Sequence, residues 1–273
     1  MTRMLVDGAR YEVRDGGDGP PVLLIHGFTG RGANWAPFLR SLRRTSRAIV
    51  VDLLGHGASD APADPARHAL ERQAADLAGI LRRLDAAPAA VVGYSFGARV
   101  ALQLAIDHPD VVRMLFLESP SAGIADARER AKRRTAEREL ARHIEDDGVP
   151  AFIETWESAP LFAAERRLPP DVRARIHASR LRNRPDGLIG SLLGAGQGVM
   201  TPLHDRLGSI AVPTIILAGS ADATGLARAR AVNDAITQAR LIVLHGHGHA
   251  PHRESPVLFR DLLIDQIATW SDA

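Results

Sequence analysis

Cysteine is absent from this chain of 273 residues. Its absence removes disulfide frameworks, thiol nucleophiles and every cysteine-ligated metal site. Lysine is almost absent too: Lys132 stands alone, and the other basic residues among the 34 are arginine. No apolar run approaches the ~18 residues that a membrane span needs, so no membrane insertion is expected. Residues 1–18 are polar and rich in Gly and Asp, without the apolar stretch of a secretory signal, which makes the cytoplasm the expected location. An excess of one charge is lacking as well. The formal net charge is +2, and the surplus lies within residues 120–206, where 15 basic residues face 13 acidic ones. Nucleic-acid binding needs a dense one-sided basic patch and is therefore not expected. No cluster of His, Asp and Glu has metal-ligand spacing, so no metal is expected. What remains is an ordinary globular composition, 45% hydrophobic and 24% charged, which excludes wholesale disorder. The length suits one large α/β domain, or such a domain with one insertion.

Short apolar runs stand at Pro21–Ile25, Ala48–Val51, Ala89–Val92, Met114–Leu117, Thr214–Ala218 and Leu241–Leu244. Each is rich in β-branched residues or Leu with little polar alternation, the pattern of strands buried on both faces of a parallel sheet. Helical stretches lie among them at Trp35–Arg43, Arg72–Leu84, Gly97–His108 and Pro256–Trp270. The alternation predicts an α/β fold with a mostly parallel central sheet. It stops after Glu118. From Ser121 to about Arg206 the chain reads as helices punctuated by Gly148-Val149-Pro150, Pro160, Pro169-Pro170 and Pro185, and strands resume at Thr214. The expected organisation is a core of residues 1–119 and 207–273, with residues 120–206 forming a helical cap.

Gly93-Tyr94-Ser95-Phe96-Gly97 follows one buried strand and opens a helix. That is the context of a nucleophile elbow, in which a sharp turn lifts the serine out of the sheet and aims the next backbone N–H, on Phe96, at the reacting oxygen. A serine hydroxyl is inert at neutral pH without a base and a group to orient that base. His249, in the Gly-x-Gly-His turn after the last strand, is the best placed base, with His245, His247 and His252 nearby as loop or supporting residues. Asp222 follows the strand Thr214–Ala218 and is the preferred acid, while Glu118 competes from the end of another strand. His26-Gly27-Phe28-Thr29-Gly30 leaves the first predicted strand, and the N–H of Phe28 would be the second oxyanion donor. Asp52 to Asp60 reads as a structural Gly-bearing loop in which His56 has no necessary chemical role.

His26-Gly27, Asp52-Leu53-Leu54-Gly55-His56-Gly57-Ala58-Ser59, the serine elbow, Asp222 and His249 together resemble the α/β-hydrolase superfamily over nearly the whole chain. A narrower resemblance is carried by the segments 26–30, 93–102 and 117–120, and in the cap by 151–156, 160–162 and 180–188. These are similar to the 2-succinyl-6-hydroxy-2,4-cyclohexadiene-1-carboxylate (SHCHC) synthases of menaquinone biosynthesis. Ala98 departs from the pattern, since many relatives carry a second Gly there. The resemblance implies a cofactor-free lyase that removes a proton from an enolpyruvyl-cyclohexene acid and expels pyruvate.

A substrate with three carboxylates directs attention to arginine, whose planar fork pairs with a carboxylate in two parallel hydrogen bonds. Arg99 lies one helical turn beyond Ser95 and can face the pocket. Arg133 and Arg180 match positions that resemble the family's carboxylate binders, although Arg134 and Arg182 stand close by and most cap arginines belong to solvated faces. Tyr94 and Trp156 are candidate pocket residues that could equally be core. The expected partner is a small polycarboxylate, and the chain is expected to be a monomer or a small homo-oligomer. A carboxylesterase or C–C-bond hydrolase using the same serine, histidine and acid is the alternative. A catalytically silent binding protein on this fold is a third reading, opposed by the complete set of Ser95, Asp222 and His249.

Overall fold

The structure, a computed structural model, describes residues 2–271. Eight strands form one sheet: β1 (Thr2–Val6), β2 (Ala9–Gly16), β3 (Pro21–Ile25), β4 (Arg47–Val51), β5 (Ala89–Tyr94), β6 (Val112–Glu118), β7 (Thr214–Gly219) and β8 (Ala239–Leu244). Their order across the sheet is β1-β2-β4-β3-β5-β6-β7-β8. β2 is antiparallel to both its neighbours, and all pairs from β4 to β8 are parallel. The helices are α1 (Ala36–Leu42), α2 (Leu70–Arg83), α3 (Phe96–Asp107), α4 (Ala127–Ser158), α5 (Pro170–Arg180), α6 (Pro185–Ala195), α7 (Ala223–Ala235), α8 (Pro251–Glu254) and α9 (Pro256–Ser271).

The unbroken apolar runs are explained by burial on both faces. Along β3, Leu23 and Ile25 join the layer of α2 and α3, which contributes Leu77, Val100 and Leu104. Val22 and Leu24 point the other way, into a layer built on Phe38 of α1 and Phe259 of α9. A polar residue at any of these positions would face a helix on one side or the other.

The sequence reading contains six strands; the hairpin β1–β2 is an addition. Its turn is Asp7-Gly8, both with positive φ (43° and 75°), the geometry of a tight two-residue hairpin. The hairpin sits at the sheet edge and is half exposed, so Tyr11 and Val13 bury their side chains while Arg10 and Arg14 do not. Helix α7 is the second addition.

Residues 121–206 contain helices and turns but no strand. Gly148, with φ of 81°, breaks α4 two residues before Pro150. The two arms of α4 and helix α6 enclose a small core of their own from Ile144, Phe152, Ile153, Leu188 and Leu192. This layer rests on the loop after β4 through a very close backbone approach. A Cβ at Gly187 would lie 2.0 Å from the carbonyl oxygen of Gly55, and one at Gly55 would lie 2.4 Å from the carbonyl oxygen of Gly187. Asn183 donates to Thr29 O at 2.8 Å and Arg31 to Ser179 O at 2.9 Å beside that contact. Gly187→Ala should therefore destabilise the protein by about 1–3 kcal/mol through overpacking. Denaturant unfolding checks this, and a change within about 0.5 kcal/mol would show that the contact yields freely.

His26 and His56 are fully enclosed, and burial lowers the pKa of each from the ordinary 6.5. His26 is thereby neutral: Nδ1–H donates to Gly27 O at 2.8 Å and Nε2 accepts the N–H of Leu53 at 3.0 Å. The unfolded chain takes up these protons below about pH 6.5 and the native chain only at lower pH, so acidification favours unfolding. The thermal midpoint is expected to fall steadily from pH 6.5 toward pH 5. A midpoint that stays flat across that window would mean that neither ring resists protonation.

Candidate active site

Ser95 sits between the end of β5 and the start of α3 with φ 51° and ψ −104°, a backbone conformation that a residue with a side chain enters only under strain. The turn is sharp because α3 begins directly against β3. At Gly97 a Cβ would meet Ile25 O at 2.4 Å and His26 O at 2.6 Å. The same contact sets Phe96, whose N–H opens the helix and has no partner within it, alongside the loop that carries Phe28. Both rings line the cavity around Ser95.

Two further loops bring a histidine to the serine and an acid to the histidine. The Ser95 hydroxyl lies 2.9 Å from Nε2 of His249, and Nδ1 of His249 lies 2.7 Å from Oδ2 of Asp222. The other Asp222 oxygen accepts the N–H of Gly225 at 2.8 Å, which makes Asp222 the cap of α7 as well. Burial pushes the Asp222 pKa up, but the bonds from His249 and Gly225 outweigh it and hold the carboxyl below its ordinary 3.8. An ionised acid fixes the imidazole in the tautomer that presents a bare Nε2 to the hydroxyl. Ser119 fastens the histidine loop to the end of β6 by donating to His249 O at 2.9 Å.

The structure pairs His249 with Asp222 and gives Glu118 other work. Glu118 is completely buried, accepts the His252 N–H at 2.8 Å and lies 2.8 Å from the His252 Nδ1. The His252 ring in turn packs 4.6 Å from Tyr94 and 5.6 Å from Trp35. His247 reaches Ser255 at 2.7 Å, and His245 is exposed.

A cavity of about 530 Å³ opens in front of Ser95, bounded by Phe28, Phe96, Trp156, Arg99, Arg133 and His249 among others. Arg99 donates to Ala195 O at 2.7 Å and lies 5.0 Å above the Phe96 ring, with no carboxylate partner among the described residues. Burial pulls its pKa down to about 10, Glu137 opposes the shift, and Arg133 and Arg228 add to it. Even so, the guanidinium is charged at neutral pH. Arg133 also reaches the cavity, with its Nε 2.8 Å from Glu137, whose carboxylate further accepts the N–H groups of Gln197 and Gly198 at 2.9 Å.

Arg180 departs from expectation. Its two terminal nitrogens are already held, by Glu157 at 3.0 Å and by Glu165 at 2.9 Å, because α5 packs against the acidic end of α4 and the turn that follows. It touches a narrow side pocket with Ser95, Tyr94 and Trp156, and its fork is not free there. Arg182 is exposed. Arg134 is no merely solvated neighbour: its Nε donates to Gly198 O at 2.9 Å. Tyr94 is both core and lining, 5% exposed beneath His249 and open to the side pocket. Trp156 stands 5.3 Å from Phe28 and lines both spaces.

Sequence reasoning missed two arginines. Arg228, on α7, lines the main cavity, and Arg253 lies in the side pocket over the Tyr94 ring while pairing with Glu165 at 2.6 Å. The one available signal was closeness along the chain, since each follows a triad residue within two helical turns. Among the described residues no group of three or more His, Asp and Glu could hold a metal ion, and no helix is long and apolar enough to cross a membrane.

Residues 20–256 match the family model of the alpha/beta hydrolase fold. The chain is 39% identical over 255 residues to the protein of Bacillus subtilis (strain 168) that bears the name of a 2-succinyl-6-hydroxy-2,4-cyclohexadiene-1-carboxylate synthase, covering 93% of each chain. Among solved structures it is similar to MenH from S. aureus, with a TM-score of 0.90 and 27% identity over 95% of this chain and 98% of that one. It is also similar to a thermophilic esterase from Thermogutta terrifontis in a malate-bound structure, with a TM-score of 0.88 and 26% identity over 99% of this chain and 100% of that one.

Proposed function

The chain belongs to the α/β-hydrolase family and is an enzyme of it, and from that premise we propose that it is an SHCHC synthase. It would eliminate pyruvate from 2-succinyl-5-enolpyruvyl-6-hydroxy-3-cyclohexene-1-carboxylate. The observation that carries this reading is Arg99: a charged guanidinium beside the reactive serine with no protein carboxylate to neutralise it. Such a group, withdrawn from water, needs an anion, and a polycarboxylate supplies one.

The steps follow from the geometry. His249 takes the Ser95 proton across the 2.9 Å contact, and the serine oxygen removes the ring proton next to the succinyl ketone. The electron pair moves onto the ketone oxygen as an enolate, which the N–H groups of Phe28 and Phe96 hold as they would a tetrahedral intermediate. Collapse of the enolate breaks the bond to the enolpyruvyl oxygen. The protonated His249 returns its proton to the leaving group, which becomes pyruvate. No acyl-enzyme forms and no cofactor is used. Arg99 and Arg133 are the proposed carboxylate binders of the main cavity. Arg180 is the proposed binder at the side pocket, where a substrate carboxylate would displace Glu157 or Glu165 from its fork. The reaction belongs to cytoplasmic biosynthesis.

The esterase likeness favours a second reading, hydrolysis through an acyl-Ser95. One experiment separates them. The purified protein is given the enolpyruvyl substrate and, separately, simple esters, with pyruvate read by coupled oxidation of NADH and Ser95 inspected by mass spectrometry after quenching. Pyruvate release with an unmodified Ser95 supports the lyase. Rapid ester turnover with an acyl adduct and no pyruvate would overturn it.

A further inference from the structure

The cavity in front of Ser95 has an arginine on its α7 wall that neither the sequence motifs nor the triad explains. Arg228 lies six residues beyond Asp222, on the helix that Asp222 caps, and lines the same space as Arg99 and Arg133. These three come from α3, α4 and α7, so they surround the cavity and are not neighbours on one helix. Like Arg99, Arg228 has no ion-pair partner among the described residues; of the three, Arg133 alone is paired. The acids that face the cavity are committed elsewhere. Glu137 is held by Arg133 and two backbone N–H groups, and Asp222 by His249 and Gly225. Like charges gathered without counter-ions repel one another in proportion to the loss of water around them. Partial burial is the main cause that lowers the Arg228 pKa, Arg133 adds to it and Asp222 opposes it, and Arg228 in turn lowers the pKa of Arg99.

We propose that Arg228 is a specificity-determining residue that binds the substrate's terminal succinyl carboxylate at the α7 end of the cavity. The assignment rests on the lyase reading above and extends it. Ser95 and the oxyanion donors must meet the ring carbon and the adjacent ketone, so the succinyl arm runs away from the serine. Arg99 is fixed at the base by Ala195 O and the Phe96 ring. Arg228, exposed at the rim with its guanidinium free, can follow a flexible chain end. It binds the arm remote from the reacting carbon, so its contribution falls mainly on KM.

Arg228→Gln, Arg228→Lys and Arg230→Gln are compared in two assays. The first is pyruvate release from the enolpyruvyl substrate. The second is equilibrium binding of succinate, read by quenching of tryptophan fluorescence, which requires no turnover. Arg228→Gln is expected to raise KM and the succinate Kd each by about tenfold, the loss of one charge-assisted pair. Lys should restore part of this, and Arg230→Gln, an exposed residue outside the cavity lining, should change neither. If Arg228→Gln leaves both within twofold, or if Arg230→Gln acts equally, the assignment is wrong. If no pyruvate is released by the unaltered protein while succinate binding still depends on Arg228, the lyase reading fails and the carboxylate subsite stands.

Discussion

Ser95→Ala and His249→Ala are each expected to lower kcat by about a thousandfold or more, and the double variant by no more than either alone. The reason is geometric. The hydroxyl and Nε2 lie 2.9 Å apart and share one proton, so removing either abolishes the same event. Pyruvate release by the three variants checks this. If the double variant falls far below both single ones, the two side chains act separately. Asp222→Asn should cost less than Ser95→Ala, since the amide still lies beside Nδ1 but favours the wrong tautomer. Glu118→Gln should spare the chemistry more than Asp222→Asn does, because Glu118 meets His252 and not His249.

Arg99→Ala is expected to reduce kcat/KM by roughly a hundredfold or more, about 3 kcal/mol, with the fold retained. A bound carboxylate left without its partner at the buried base of the cavity is desolvated without compensation. The native guanidinium is anchored at Ala195 O and over Phe96, so it arrives with its direction already set. Arg99→Lys should recover only part, because an ammonium cannot use both the anchor and a two-bond carboxylate contact. Circular dichroism and thermal unfolding separate lost binding from lost folding. Arg182→Ala, exposed on the cap, should leave kcat/KM within about twofold. An Arg99→Ala variant with near-normal kcat/KM would remove the main support for an anionic substrate.

How much of this was legible follows from which forces write themselves into sequence. Strands buried on both faces must be apolar throughout, so β3 to β7 appear as runs, and the edge strand β8, half-buried, still shows Leu241–Leu244 as one. The β1–β2 hairpin lies half in water, and Tyr11 and Val13 alone do not make a run. Glycine and proline mark the turns between cap helices because backbone geometry demands them, and Gly148 and Pro150 fall where α4 bends. The elbow is legible for the same reason. Side-chain pairing across the fold is not. Nothing near Arg180 in the sequence announces that Glu157 and Glu165 will close on it, and nothing marks Arg228 as unpaired. Whether a charge is spent inside the protein or kept for a ligand depends on residues distant along the chain.

Phe28 has a consequence for how the enzyme loses activity. Its ring packs against the main core and also against the small core of the cap, meeting Phe152 at 6.3 Å and Trp156 at 5.3 Å. The cap is thus not expected to melt as a separate unit, because loosening it strips the support from the loop that carries the proposed oxyanion donor Phe28. Unfolding should be cooperative across both layers, with a single transition in denaturant. Trp156, stacked on Phe152, would change its fluorescence at the same denaturant concentration at which turnover disappears.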